Sequence, residues 1–87
     1  MIIPAGVNTG GVSTRGRVDV GGGTWDYGAD NDKGWSNYFH QYKNHGATTK
    51  QGDSEDRRDA DAGVWATTLL YRSLFGGTMQ SYWRVND

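Results

Sequence analysis

The aromatic residues of this chain fall in short segments punctuated by glycine. They are Gly-Gly-Gly-Thr-Trp-Asp-Tyr-Gly (21–28), Trp-Ser-Asn-Tyr-Phe-His-Gln-Tyr-Lys-Asn-His-Gly-Ala-Thr (35–48) and Ala-Gly-Val-Trp-Ala (62–66). Hydrophobic residues occupy only 34% of the 87 positions, and four Trp, five Tyr and two Phe supply much of that. The core is therefore thin and aromatic. A buried Trp or Tyr covers roughly 150–250 Å², so a few of them can organise one small domain. With no cysteine there is no disulfide and no Cys-based metal site. Small secreted domains often carry such staples, and their absence points to modest stability or to help from dimerisation.

Along the chain the pattern is that of short strands. Val18 and Val20 alternate with polar residues and predict a short strand near 17–20; the rest of 1–20 reads as a flexible N-terminal arm. Three successive glycines at 21–23 then mark a boundary, with one domain over 21–87. Residues 24–27 read as a strand and 29–34 as a turn-rich loop. From Trp35 to Lys43 the alternation puts Ser36, Tyr38, His40 and Tyr42 on one face, and Trp35, Asn37, Phe39 and Gln41 on the other. Both faces are aromatic, as expected of a strand contacted on both sides, or with one face buried and one functional. Asn44-His45-Gly46 reads as a hairpin turn leading into 47–50.

Residues 51–61 hold five acids against two arginines and read as a solvated loop. In 64–72 a helix would gather Trp65, Leu69 and Arg72 on one face, but the β-branched and aromatic content favours a strand. Gly76-Gly77 marks a turn, and 79–85 reads as the last strand. Short strands at this spacing predict an all-β sandwich or barrel.

Composition also narrows the function. Nine basic and ten acidic residues leave a net charge of −1, which argues against a phosphate-tracking nucleic-acid binder and against a cationic membrane-lytic helix. There is no apolar stretch of about 18 residues, the length a spanning helix needs, so no transmembrane insertion is expected. Residues 1–7 lack a positive n-region and are not a complete signal peptide; they read either as the tail of one or as a cytoplasmic start.

Candidate chemistry is sparse. His40 and His45 are the only histidines, and zinc normally takes three or four protein ligands. Asp26, Asp30 or Asp32 are available, but no spacing specifies them, so hydrogen-bonded or surface histidines and no metal or cofactor are expected. Neither Ser36 nor Ser54 sits in Gly-x-Ser-x-Gly, and the acidic 51–61 segment is too charged to be a desolvated carboxylate site; no enzyme is expected. The glycines at 21–23 match no phosphate-loop pattern. Arg57 and Arg58 stand among acids, where local ion pairs are the simple reading.

The rings are the better candidates. Flat rings stack on the apolar face of a sugar while neighbouring polar side chains bond its hydroxyls. Trp25, Tyr27, Tyr38, Tyr42, Tyr82 and Trp83 suit that role by composition. Some rings must form the core: Trp65, Phe39 and one of Trp25 or Trp35 are expected there, with Gly63 leaving room for the Trp65 indole and part of the Tyr set exposed.

In order and spacing the motifs resemble the lactococcin 972 family of bacteriocins. The residues that carry the resemblance are Gly23-Thr24-Trp25 with Tyr27-Gly28, Ser36-Asn37-Tyr38 with His40, His45-Gly46-Ala47-Thr48, Ala62-Gly63-Val64-Trp65-Ala66, and Ser81-Tyr82-Trp83. The resemblance implies a secreted protein released from a longer precursor. It also implies a small β-sandwich of two three-stranded antiparallel sheets, and a homodimer in the founding member. That protein binds the cell-wall precursor lipid II and blocks septum formation without making pores. Lipid II, or another cell-wall precursor, is accordingly the expected partner, and a non-toxic secreted glycan-binding module is the alternative. Trp25, Tyr27, Tyr38, His40 and His45 are the nominated ligand contacts, because they lie in matched motifs and have suitable chemistry. Two features depart from the family pattern: the extension at 1–20, and the acidic 51–61 segment.

Overall fold

The computed structural model describes residues 5–9, 14–30, 32–73 and 77–86. Eight strands follow one another: β1 (Ala5–Thr9), β2 (Thr14–Val20), β3 (Gly23–Ala29), β4 (Lys33–Phe39), β5 (His45–Gln51), β6 (Ser54–Ala60), β7 (Ala66–Tyr71) and β8 (Met79–Val85). They form two antiparallel sheets, ordered β1-β8-β5-β6 and β2-β3-β4-β7. Within the 21–87 region lie the two expected three-stranded sheets, β8-β5-β6 and β3-β4-β7. The stretch read as an arm contributes a fourth, edge strand to each: β1 pairs with β8, and β2 pairs with β3 over its whole length.

The glycines at 21–23 form a tight turn between β2 and β3. Val20 pairs with Gly23, and the two intervening residues, Gly21 and Gly22, have φ of 63° and 84°. Positive φ at both central positions is the hairpin geometry whose twist matches the flanking strands, and glycine adopts it without steric cost.

The 51–61 segment departs from expectation. Instead of a solvated loop, it is the end of β5, a two-residue turn at Gly52-Asp53, and the charged strand β6. β6 lies at a sheet edge with most side chains in water, so it has no hydrophobic alternation to announce it. Charged edge strands also resist pairing with other chains. Likewise β4 stops at Phe39 rather than Lys43, and His45 and Gly46 begin β5 rather than form a turn. The expectations for residues 1–4, Gly10, Gly11 and Gly76 fall outside the described residues.

Between the sheets sits a core of Trp25, Tyr38, Ala47, Ala66, Trp83 and Val85, with Val20, Tyr27 and Ala60 packed against it. The Tyr38 and Trp83 ring centroids lie 5.0 Å apart. Aliphatic residues are too few to fill the rest, and hydroxyls take their place. Ser36, Thr49, Thr68 and Ser81 are buried. Each hydroxyl is bonded: Ser36 Oγ donates to Tyr82 O at 2.7 Å, Ser81 Oγ to Trp35 O at 3.0 Å, and Thr68 Oγ1 to Ser36 O at 2.7 Å. Because Thr68 spends its only hydroxyl hydrogen there, the 2.8 Å contact between Thr49 and Thr68 is a donation from Thr49. The Ser36, Ser81 and Thr49 bonds tie one sheet to the other, and satisfying every polar group is what makes a hydroxyl-rich interior tolerable. Along one side the sheets also join at their edges, where Leu69 N of β7 donates to Asp56 Oδ2 of β6 at 2.9 Å.

Candidate functional site

The nominated contacts cluster in and beside the core. Trp25 is 4% exposed, Tyr38 and His45 are 0% exposed, and His40 is 5% exposed; Tyr27 is half-buried against the same core. Each has a structural partner. Trp25 Nε1 donates to Ser36 Oγ at 2.8 Å, and the Trp25 and Tyr27 rings lie 4.3 Å apart. Tyr38 donates its hydroxyl to Val20 O at 2.8 Å, which pins β2 to the core. Burial pushes the Tyr38 phenol above its ordinary value, against an opposing bond from the Gly23 backbone, so it remains a neutral donor.

The two histidines organise the loops at one end of the sandwich. His40 Nδ1 accepts from the backbone N–H of Tyr42 and of Lys43, both at 3.1 Å, and so shapes the turn between β4 and β5. His45 bridges that turn to the β6–β7 connection: Nδ1 lies 2.7 Å from Lys43 O, and Nε2 lies 2.7 Å from Val64 O. A neutral imidazole has one N–H and serves one carbonyl; only a ring with both protons serves both. These bonds occupy three of the four ring nitrogens of a pair whose centroids are 6.3 Å apart.

The accessible rings are a different set. Trp65, expected in the core, is 38% exposed, and Phe39 is half-buried. Gly63 has φ of 82° and open space around it, so it turns the connection rather than making room for an indole. Tyr42 and Tyr71 are well exposed, whereas Trp83 is buried.

Register explains the accessible set. Ser36 and Tyr38 of β4 point inward, which leaves Lys33, Trp35, Asn37 and Phe39 on the outer face. Their cross-strand neighbours complete two rows. Arg15, Gly28, Trp35 and Leu69 form one; Arg17, Asp26, Asn37 and Thr67 form the other. Beyond them the Phe39 and Trp65 rings lie 5.4 Å apart, and the Arg17 guanidinium lies 5.4 Å over the Trp65 ring. That distance is within the range of a cation–π contact.

An open cavity of about 550 Å³ lies on this side, lined by Lys33, Trp35, Asn37, Asp56, Thr67, Thr68 and Leu69. Asn37 Oδ1 accepts from Thr68 N at 3.3 Å, which leaves its amide N–H groups for an outside acceptor. Rings, an amide, a carboxylate, a hydroxyl and a cation on one face suit a ligand with flat apolar patches and hydroxyls.

Sequence alternation had already gathered Trp35, Asn37 and Phe39 on one face. It could not say which face was inside, because Tyr38 on the opposite face is equally aromatic. Leu69 stood only in an apolar run, Trp65 was expected in the core, and Arg17 carried no signal until β2 was seen to pair with β3.

Among the described residues no group of three or more His, Asp or Glu side chains converges as a metal site would require. No described helix is long and apolar enough to cross a membrane. A family model described as Bacteriocin (Lactococcin_972) matches residues 21–83, which span β3 to most of β8 and most of the ring-lined face. Neither the curated proteins nor the solved structures yield a match. The model covers well over half of the chain, and the protein belongs to the lactococcin 972 family of bacteriocins.

Proposed function

We propose that this protein is a secreted antibacterial protein that binds lipid II and stops septum formation without opening pores, and that its ligand lies on the outer face of β2-β3-β4-β7. The observation that carries the reading is the ring-lined face itself, with Trp35, Phe39, Trp65 and Leu69 beside Asn37, Asp26 and Arg17, in a chain of this family. The sugar rings of a peptidoglycan precursor offer the flat apolar patches and hydroxyls this face accommodates. Family membership supports the antibacterial role, and the target within the envelope is the part that experiment must establish.

Titration of the folded protein with lipid II, followed by Trp fluorescence, tests the reading. Undecaprenyl phosphate is the control for the lipid tail. A saturable change beyond any given by undecaprenyl phosphate, and weakened in Trp35→Ala, is expected, together with growth inhibition of a sensitive Gram-positive strain. Retention on peptidoglycan without lipid II binding or inhibition would favour a non-toxic glycan-binding module. No binding to any of these ligands would remove both readings.

A further inference from the structure

The sheet opposite the rings carries a second, differently charged surface. On the outer side of β1-β8-β5-β6, register sets Tyr82 beside Thr48 and Thr48 beside Arg57. One step along, Lys50 stands opposite Glu55; one step back, Arg84 lies beside Gly46 and Gly46 beside Asp59. A cavity of about 340 Å³ lies among Thr48, Lys50, Glu55, Arg57, Tyr82 and Arg84.

Arg84 is the unusual member. It is 6% exposed and lies flat over Gly46, where any Cβ would collide with the guanidinium. One terminal nitrogen, Nη2, pairs with Asp59 and donates to Arg58 O; the other, Nη1, donates to Thr48 Oγ1 at 3.1 Å. The Nε–H donor is buried and has no acceptor among the described residues. A buried donor left unpaired is costly, so native proteins rarely keep one without a use. Lys50 and Arg57 are exposed, and neither forms a salt bridge among the described residues, although Arg57 is near enough to act on the Asp59 charge. Thr48 accepts from Arg84 and keeps its own hydroxyl hydrogen to donate.

We propose that this cavity is a phosphate-binding site, taking a phosphomonoester or diphosphate group between Lys50, Arg57 and the edge of Arg84. Two uncommitted cations supply the charge. The Thr48 and Tyr82 hydroxyls add donors. Phosphate suits the site because its oxygens can take donors from several sides at once. Glu55, one step from the centre, opposes the anion and limits affinity. The site lies on the other face of the sandwich from the rings, so it goes beyond the lipid II reading and stands or falls separately.

Calorimetric titration of the folded protein with inorganic diphosphate at low salt tests the proposal. One saturable site is expected, weakened by added salt and by about tenfold or more in Lys50→Ala/Arg57→Ala. Both side chains are exposed, so this variant is expected to fold. Glu55→Gln should tighten binding, and Trp35→Ala should leave it unchanged. A second arm uses phosphatidylcholine vesicles with and without phosphatidic acid. Phosphatidic-acid-dependent retention that the double variant loses assigns the site to a lipid headgroup, whereas diphosphate binding without retention assigns it to a soluble phosphate. Absence of saturable binding in both arms, or binding that the double variant leaves intact, would overturn the proposal.

Discussion

Trp25 and Ser36 are joined by a 2.8 Å hydrogen bond in which the indole N–H donates to a serine hydroxyl at the centre of the sandwich. Ser36 passes its own hydrogen to Tyr82 O in the facing sheet, and its backbone carbonyl accepts from Thr68. A residue of no bulk thus holds an indole in place and ties two sheets together. Ser36→Ala leaves the Trp25 N–H unpaired in the interior and removes the side-chain bond to Tyr82 O, and the expected loss is about 3 kcal/mol. Urea unfolding, read as a shift in midpoint at unchanged slope, measures it.

His45 stitches the β4–β5 turn to the β6–β7 connection through two backbone carbonyls. Removing the ring in His45→Ala takes the donor away from between these carbonyls and opens a cavity at a site of 0% exposure. A loss of about 3 kcal/mol is expected, and loosening should concentrate at Val64 and Trp65. Hydrogen exchange resolves this: amides at 43 and 63–66 should lose protection before those of β5.

Acid should weaken the fold through Asp59. Burial alone would raise its carboxyl, but hydrogen bonds from Arg84 and Asn86 and the charges of Arg84 and Arg57 outweigh that and hold it below its ordinary value. A carboxylate lowered in this way contributes its full stabilisation above the unfolded value, about 3.9, and loses it as pH falls through the lower folded value. Asp59→Asn should therefore be less stable than wild type at pH 7, and the gap should close as pH drops below about 3.9. Paired urea curves at pH 7 and pH 3 check the sign.

Core and surface tryptophans should separate by phenotype. Trp25 is buried and Trp65 is not, so Trp25→Ala should cost about 3–5 kcal/mol, while Trp65→Ala should cost far less. Trp65→Ala should also remove the Arg17 contact and weaken ligand binding at near-wild-type stability. Denaturant midpoints, set beside ligand affinities for the two variants, make the comparison.

Much of this was legible before the structure. The last strand runs over 79–85 as expected, and the 35–39 parity is the one observed. What pattern could not convey was where polarity is hidden. Tyr38 and His45 looked like ligand contacts because they are polar and sit in motifs, yet their hydrogen bonds are met inside the protein. Trp65 looked like core because it is large and apolar, yet it packs on Phe39 at the surface. In a chain this poor in aliphatics, hydroxyls and rings share the interior, and hydrophobicity no longer predicts depth. β6 was missed for the opposite reason: an edge strand in water on most sides needs no apolar residues, and only its register with β5 reveals it.

The central claim is that the ring-lined face of β2-β3-β4-β7 receives the cell-wall precursor, and backbone amide shifts during a lipid II titration test it most directly. The account predicts saturable shifts at Trp35, Asn37, Phe39, Trp65, Thr67 and Leu69, with Ala47 and Ser81 unmoved. Shifts confined to the opposite sheet, or none in folded protein at saturating lipid II, would contradict it.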